Sequence, residues 1–241
     1  MITIHHLGVS QSDRIVWLME ELKLPYRLKW YDRGADGLMP PEYLALHPAA
    51  TAPVIEDDGL VLAESAAICE YVSQRHAGGR LSVAPDRPNY PDYLYFMHWN
   101  NNVQGMFFSK LAARAAGGGA NPVGGVIDRR ENGYYRMLEQ QLAKNPFVAG
   151  PDFTCADIMV TFNLTSLSRF GGRTIDDLPN VQAYVARIAK RPAYVEAMRI
   201  AGPTAVKPSK EADTSRPTRA SAAGARSEAQ PSEGGPPRRR A

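Results

Sequence analysis

Residues 2–22 read ITIHHLGVSQSDRIVWLMEEL and join a β-strand to an α-helix. The run from Ile2 to Leu7 is rich in β-forming side chains, and a turn that contains two serines follows it. Beyond the turn, apolar residues recur at the helical spacing i, i+3, i+4 and i+7, at Ile15, Leu18, Met19 and Leu22. Ser12 stands where a helix N-cap is expected. This strand–turn–helix unit predicts an α/β domain at the start of the chain.

The residues that follow continue the alternation of strands and helices. A second strand is expected at 26–31, where apolar and polar residues alternate. A β-hairpin is expected at 53–62, because an Asp-Gly turn signal lies between two apolar runs. A short helix is expected at 41–46, and a longer one after Ser65, which we interpret as its N-cap. The predicted order is β-α-β, a short helix and then β-β-α, ending near residue 75.

After this unit the chain changes character. Residues 77–89 are rich in Gly and Pro and are interpreted as a linker. Thr154 and Asp157 have the spacing of a capping box, which marks a helix start. Helical patterns continue to the end of the body, at Tyr93–Arg114, Ile127–Ala143, Ala156–Phe170, 181–188 and from Pro192. The sequence therefore predicts two domains, an α/β domain at 1–76 and an all-helical domain at 90–200.

The net charge of +3 is concentrated at the C-terminal end of the chain. Residues 203–241 contain eight basic and four acidic side chains, so the remaining residues carry a net charge of −1. This near-neutral body has no basic face, and nucleic acid is therefore not an expected partner. From Pro203 onward Val206 is the only large aliphatic residue. Such a composition buries too little apolar surface to fold, and it predicts a disordered tail over 201–241.

Composition also excludes other classes of protein. No apolar stretch approaches the ~20 residues that cross a bilayer, and the N-terminus lacks the pattern of a secretion signal. Cys69 and Cys155 are too few for a disulfide scaffold or a four-thiolate zinc site, and we interpret them as core thiols. The five histidines have no metal-ligand spacing. We therefore expect a cytoplasmic protein without membrane contact and without a metal.

Four groups of residues stand in register with one known protein family. They are residues 6–22, Thr51–Ala52–Pro53–Val54–Ile55, Ala63–Glu64–Ser65 with Ile68 and Tyr71, and Phe153–Thr154–Cys155–Ala156–Asp157. Together they resemble the glutathione S-transferases, over residues 1 to about 200, and most of all the serine-type bacterial and fungal group. The resemblance implies a thioredoxin-like N-terminal domain, a helical C-terminal domain and a cytoplasmic homodimer. The implied function is detoxification, by conjugation of glutathione to small electrophiles and by peroxide reduction.

The resemblance implies that a side chain just after the first strand activates the glutathione thiol. A free thiol with a pKa of ~8.5 is little ionised at neutral pH, and a hydroxyl donor favours its thiolate form. The family uses Tyr, Ser or Cys here, and this chain has no Tyr before Tyr26 and no Cys before Cys69. Ser10 and Ser12 remain. Ser10 lies four residues before Arg14, as in the serine-type group, so we assign it as the catalytic residue and keep Ser12 as the alternative.

The resemblance also implies which residues bind glutathione. Glu64 and Ser65 match the pair that holds the γ-glutamyl group. Pro53 matches a cis-proline that presents the backbone of Ala52 to the cysteinyl unit, where it pairs like an added strand. The other implied contacts are Ser12, Arg14, Thr51 and Asn101. Trp99, Met106 and Phe107, next to Phe108, are candidates to line a pocket for an apolar electrophile, with buried helix packing as the alternative.

Two departures from the family pattern leave other functions open. Thr51 stands where the family often has Lys or Gln, so the glycyl carboxylate of glutathione loses a cation unless Arg14 supplies one. Asn100–Asn102 stand where the serine-type group often has an acidic residue. Both departures favour the alternative of a non-catalytic member that binds glutathione or another ligand. A third possibility is a relative of the fold that serves in protein–protein contacts.

Overall fold

The computed structural model describes residues 1–115, 117, 122–208 and 212–213, which form an α/β domain followed by a bundle of helices. The first domain consists of β1 (Ile2–Leu7), α1 (Asp13–Leu22), β2 (Tyr26–Tyr31), α2 (Pro41–Leu44), β3 (Val54–Asp57), β4 (Leu60–Ala63) and α3 (Ser65–Ala77). The second consists of α4 (Tyr90–Ala115), α5 (Pro122–Leu142), α6 (Cys155–Thr165), α7 (Pro179–Ile188) and α8 (Pro192–Ala201). A two-residue strand, β5 (Ala212–Asp213), follows. The predicted fold class, thioredoxin-like and then all-helical, is confirmed.

The first strand is the centre of the sheet. The strand order is β4-β3-β1-β2-β5, with β1 parallel to β2 and antiparallel to β3. Strands β3 and β4 form the predicted hairpin. A central strand is covered on both faces, so its residues do not alternate between buried and exposed. For that reason His5 and His6 are both buried, like their neighbours Ile4 and Leu7.

The helical domain packs on α1, the helix that follows the two serines. The ring of Trp17 lies 5.4 Å from that of Phe153 and 4.8 Å from that of Tyr194, measured between centroids. Arg191 on the loop before α8 donates two hydrogen bonds of 2.7 Å to the carboxylate of Glu21. The turn before α1 is therefore held at the junction of the two domains.

Several helix ends differ from the sequence-based expectation. Both α4 and α5 begin before the first residues predicted for them, Tyr93 and Ile127. Periodicity of apolar residues marks the buried turns of a helix and misses its exposed first turn. The third predicted helix was expected to reach Phe170, but α6 ends at Thr165 and a 3-10 turn follows at Leu167–Phe170. None of the described helices is long and apolar enough to cross a membrane.

The predicted helix caps have mixed outcomes. Ser12 does precede α1, but its hydroxyl makes no bond to the helix N–H groups. Ser65 is the first residue of α3, and the N-cap position is occupied by Glu64 with a φ of 80°. Neither serine is a side-chain cap, because each hydroxyl has a different partner. The capping box of Thr154 and Asp157 is confirmed, with the Thr154 N–H donating to Asp157 Oδ2 at 2.8 Å.

Most of the predicted tail lies outside the described residues. Of 201–241, the structure describes 201–208 and 212–213. Lys207 Nζ lies 2.7 Å from a carboxylate oxygen of Asp32, and β5 pairs antiparallel with β2. The expectation of disorder for the other tail residues stays a prediction.

The two cysteines are buried free thiols that lie in the core, as expected. Cys69 belongs to α3 and Cys155 begins α6, so the pair lies where the two domains meet. A hydrogen bond with Cys69, together with burial, raises the pKa of the Cys155 thiol well above its usual value. Cys155 is therefore protonated at neutral pH and has no nucleophilic role.

Candidate active site

The turn after β1 places its two serines in different surroundings. Ser10 is partly exposed, and its hydroxyl donates to the backbone carbonyl of Leu7 at 2.7 Å. Ser12 is fully buried, with its Oγ 2.8 Å from His6 Nδ1 and 2.7 Å from Ser10 Oγ. The two hydroxyls therefore form one chain that leads from the interior of the domain to the surface. Of the two candidates, Ser10 is the one that a ligand can reach.

Ser10 opens on a cavity of about 570 Å³, which we call the interdomain cavity. The α/β domain contributes Val9, Ser10, Gln11, Arg33, Gly37, Met39, Thr51 and Ala52. The helical domain contributes Gln104, Phe107, Phe108, Leu111, Phe162, Leu167 and Phe170. One wall carries most of the polar side chains but also Val9 and Met39, and the opposite wall is aromatic and aliphatic apart from Gln104. Such a division suits a ligand with one polar and one apolar part.

The loop before β3 forms part of the polar wall. The Ala52–Pro53 peptide bond is cis, as expected from the sequence. Pro53 is buried against the domain, Ala52 is partly buried and Thr51 is exposed. Both Thr51 and Ala52 line the interdomain cavity beside Ser10. The structure therefore brings the predicted site residues Ser10, Thr51 and Ala52 to one side of this cavity, with Phe107 on the other.

A buried arginine connects the site to the helical domain. Arg14 is 1% exposed, and its guanidinium donates to Gln11 Oε1 at 2.7 Å, to Asn100 Oδ1 at 2.5 Å and to Ser65 Oγ at 3.4 Å. It also lies 4.5 Å from the centre of the Phe162 ring. Burial lowers the pKa of Arg14 to about 10, so the side chain remains a cation at neutral pH.

These contacts decide whether Arg14 can replace the missing lysine at position 51. The guanidinium is directed at Gln11, Ser65 and Asn100, inside the protein. Arg14 is not among the residues that line the interdomain cavity, so it does not face a glycyl carboxylate held there. The expectation that Arg14 compensates for Thr51 is therefore not supported by the geometry.

Glu64 and Asn101 lie on a second cavity. This cavity of about 620 Å³ lies between α3 and α4, and we call it the α3–α4 cavity. Both side chains are exposed, whereas Ser65, next to Glu64, is 2% exposed. Glu64 adopts a positive φ, a conformation that costs a non-glycine residue about 1–3 kcal/mol and that clusters at functional sites. Asn100 donates to Asn101 Oδ1 at 3.0 Å, which links Arg14 to this second cavity.

Comparison with known proteins matches this arrangement to one family. The family model described as "Glutathione S-transferase, N-terminal domain" matches residues 10–75, and "Glutathione S-transferase, C-terminal domain" matches residues 128–192. A crystal structure of a glutathione S-transferase from Actinobacillus pleuropneumoniae is 33% identical, with a TM-score of 0.72. The alignment covers 83% of this chain and 93% of that one. The chain belongs to the glutathione S-transferase family.

Two further relatives have lower sequence identity to this chain. "Glutathione S-transferase 3" of Schizosaccharomyces pombe is 29% identical over 212 residues, which cover 80% of this chain and 85% of that protein. A glutathione transferase homologue from Lodderomyces elongisporus, solved with two GSH per subunit, has a TM-score of 0.67 at 20% identity. That alignment covers 83% of this chain and 98% of the homologue. At this identity the likeness concerns the fold alone.

The apolar wall of this glutathione S-transferase differs from the one expected. Of the three candidates, Phe107 lines the interdomain cavity, whereas Trp99 and Met106 are not among its described lining residues. Trp99 is 1% exposed and donates from its ring nitrogen to the carbonyl of Tyr134 at 3.3 Å. Met106 packs against the main core. Successive residues of a helix face different directions, so the face of α4 that packs on the core cannot also line the cavity.

Sequence reasoning missed residues that reach the site from distant segments. Phe162, Leu167 and Phe170 belong to a part of the chain that no motif connects with the turn after β1. Arg33 was also missed. It donates to the carbonyls of Gly8, Val9 and Gly37, and it lines the interdomain cavity. The sequence signal that could have pointed to Arg33 is a basic residue in the loop after β2.

No group of three or more His, Cys, Asp or Glu side chains within the described ranges is arranged to hold a metal ion.

Proposed function

We propose that this family member is a glutathione transferase in which the hydroxyl of Ser10 stabilises the thiolate of bound glutathione. The observation that carries the proposal is that Ser10 opens on the interdomain cavity while Ser12 is fully buried. A thiol with a pKa of ~8.5 is mostly protonated at neutral pH, and a hydrogen bond to the anion shifts it towards the thiolate. The thiolate then attacks an electrophile that lies against the aromatic wall.

The substrates that fit are small and apolar. Phe107, Phe108, Phe162 and Phe170 all face the interdomain cavity. Aromatic side chains bind flat apolar molecules through both buried area and ring contacts. We propose conjugation of such electrophiles as the main activity and reduction of organic peroxides as a further one. Both are reactions of detoxification, and we place them in the cytoplasm.

The first test is direct. Titration calorimetry measures glutathione binding, and a panel of chloro-aromatic, isothiocyanate and peroxide substrates measures turnover. Binding together with turnover of at least one electrophile is the expected result. Binding without any turnover favours the alternative of a non-catalytic glutathione-binding member. Absence of binding contradicts both.

We propose that the γ-glutamyl end of glutathione is held at the start of α3 by Glu64 and Ser65. The backbone N–H groups at a helix start favour a carboxylate, and the Glu64 side chain can pair with the ligand ammonium group. Ser65→Ala removes a charge-assisted hydrogen bond worth ~1.5–3 kcal/mol. We expect glutathione to bind about ten- to a hundredfold more weakly to this variant, as measured by calorimetry.

A serine on the same helix supplies the control. Ser73 is buried on α3 and bonds the carbonyl of Arg80 and the hydroxyl of Ser82. Ser73→Ala is expected to affect stability but not glutathione affinity. Equal affinities of Ser65→Ala and the unmodified protein mean that the γ-glutamyl group binds elsewhere.

We propose that Arg33 supplies the cation that Thr51 lacks. Three of its N–H groups donate to backbone carbonyls, and a guanidinium has five such donors. It can therefore bond a glycyl carboxylate without giving up these contacts. Arg33→Gln is expected to weaken glutathione binding about three- to tenfold, as befits a partly exposed ion pair.

The ligand itself provides the control for Arg33. An ester of the glycyl carboxylate removes the charge that Arg33 is proposed to bind. The ester is expected to bind Arg33→Gln and the unmodified protein equally well. If Arg33→Gln binds glutathione and its ester more weakly than the unmodified protein by the same factor, Arg33 has a structural role only.

We also propose that the protein is a homodimer, because α4 exposes large apolar side chains in the single chain. Leu94 and Tyr95 on α4 are large apolar side chains that remain exposed in the single chain. Leu94 lines the α3–α4 cavity, and we expect a second copy to cover the surface of α4 beside that cavity. Sedimentation of a monomer at micromolar concentration contradicts this proposal.

A further inference from the structure

His6 is a polar side chain in the middle of the central strand. It is 0% exposed, and its ring lies 4.3 Å from that of Trp30 on the neighbouring strand β2. Its Nδ1 is 2.8 Å from Ser12 Oγ, whereas its Nε2 is buried and has no hydrogen-bond partner among the described residues. Burial lowers the pKa of His6 to about 4, so the ring is neutral under physiological conditions.

The surroundings of the ring favour one tautomer. A neutral imidazole carries one N–H, on Nδ1 or on Nε2, and the other nitrogen is an acceptor. A proton on Nε2 would be a buried donor without an acceptor. Buried N–H groups without a partner are rarer in protein interiors than buried acceptors without one. A proton on Nδ1 is donated to Ser12 Oγ. The ring therefore carries its proton on Nδ1.

This tautomer sets the direction of the two hydroxyls that follow. Ser12 Oγ accepts from His6, so its own proton is free for Ser10 Oγ at 2.7 Å or for the Leu7 carbonyl at 3.3 Å. The nearer acceptor is Ser10. Ser10 Oγ then accepts from Ser12, and also from the Ser12 N–H at 3.3 Å. The proton of Ser10 consequently points away from Ser12, and without a ligand it is donated to the Leu7 carbonyl at 2.7 Å.

The opposite tautomer has the opposite effect. With Nδ1 as an acceptor, Ser12 donates to His6 and can no longer donate to Ser10. Ser10 then loses a donor to its oxygen, and its proton has Ser12 Oγ as a competing acceptor. A hydroxyl that accepts one hydrogen bond is a stronger donor in the next, because such bonds polarise one another.

We propose that His6 is a positioning residue, which acts through Ser12 to direct and polarise the Ser10 hydroxyl towards the glutathione sulfur. The bonds run from His6 Nδ1–H to Ser12 and from Ser12 O–H to Ser10. When glutathione binds, the Ser10 O–H turns from the Leu7 carbonyl to the thiolate. No proton leaves His6, and its ring touches no reacting atom. The inference rests on the proposed role of Ser10 as the thiolate donor.

Two variants at His6 separate the effect of its hydrogen bond to Ser12 from the effect of its packing in the core. His6→Leu removes the donor, whereas His6→Asn retains an N–H at the same distance from the backbone as Nδ1. We expect His6→Leu to raise the pKa of the bound thiol by about half to one unit. Turnover at neutral pH falls about three- to tenfold and returns at higher pH, while glutathione affinity is unchanged. His6→Asn is expected to restore most of the loss. The thiolate is measured by its ultraviolet absorbance in the binary complex.

The tautomer itself is tested in the unmodified protein without any ligand. Nitrogen-15 NMR distinguishes a protonated ring nitrogen from a bare one. His5 is the internal control, because its Nε2 lies 3.1 Å from a carboxylate oxygen of Glu56 and its Nδ1 lies 2.9 Å from the hydroxyl of Tyr31. We expect His5 to carry its proton on Nε2 and His6 on Nδ1. A proton on Nε2 of His6 overturns the proposal, even if the variants fail to fold.

The outcomes distinguish this inference from the proposed function. If Ser10→Ala shifts the thiol pKa and a folded His6→Leu does not, the positioning role is wrong and the role of Ser10 stands. If Ser10→Ala shifts nothing, the proposed function itself is wrong.

Discussion

Ser10→Ala is expected to lose about ten- to a hundredfold in turnover at neutral pH while it retains its affinity for glutathione. The lost hydrogen bond to the thiolate is of the charge-assisted kind, worth ~1.5–3 kcal/mol. The pKa of the bound thiol therefore rises by about one to two units, and less thiolate is present at neutral pH. Activity should return in part as the pH is raised through the new thiol pKa. Absorbance of the thiolate in the binary complex gives this pKa directly.

Two further variants locate the effect in the hydroxyl of Ser10. Ser10→Thr keeps a hydroxyl and is expected to keep much of the activity. Ser12→Ala leaves Ser10 on the interdomain cavity. It should therefore shift the pKa of the bound thiol clearly less than Ser10→Ala does. A larger shift for Ser12→Ala than for Ser10→Ala identifies Ser12 as the thiolate donor instead.

Arg14→Leu should lower the free energy of unfolding by about 3–5 kcal/mol, because it removes a buried cation from its partners. Gln11, Asn100 and Ser65 lose their donor. The neighbouring Asp13, also buried, loses the positive charge that favours its ionised form. Denaturant unfolding measures the loss. Arg199→Leu is the control, because the ion pair of Arg199 with Glu196 is exposed and contributes at most about 1 kcal/mol.

The pH dependence of this loss identifies the part that Asp13 plays. Burial raises the pKa of Asp13 to about 7, well above its value of ~3.9 in an unfolded chain. Between these values the folded protein binds more protons, so its stability falls as the pH rises. Without Arg14 the folded pKa of Asp13 is higher still. The difference in free energy of unfolding between Arg14→Leu and the unmodified protein should therefore be larger at pH 8 than at pH 5. An equal difference at the two pH values contradicts this account.

Much of the fold could be predicted because its helices and turns depend on patterns of residues that are close in sequence. The spacing of Ile15 and Leu18 on one helix face and the Asp-Gly turn of the hairpin depend only on neighbouring residues. The capping box that starts α6 was likewise recognised from a short motif. The cis bond before Pro53 was implied by the resemblance to the family. The errors lie at helix ends, where exposed first turns carry no apolar signal.

The candidate site was predicted less completely, because exposure is not a local property. Trp99 and Phe107 belong to the same helix and are both buried, yet of the two only Phe107 lines the interdomain cavity. Which face of α4 meets the core depends on the helices packed around it. The same holds for Arg14, which the motif suggests as a ligand contact and the packing of Asn100 and Phe162 encloses.

The sequence by itself determined the order of the elements, the two-domain fold and the pair of serines after the first strand. Tertiary structure alone decided which serine faces the interdomain cavity. Ser10 and Ser12 are two residues apart and equally able to donate a hydrogen bond. They differ because the central strand places His6 against Ser12, while residues far along the chain, such as Phe162, form the cavity on which Ser10 opens. A buried hydroxyl that is already hydrogen-bonded cannot contact a ligand, whereas a hydroxyl on a cavity can. Only the folded chain produces this difference between the two serines.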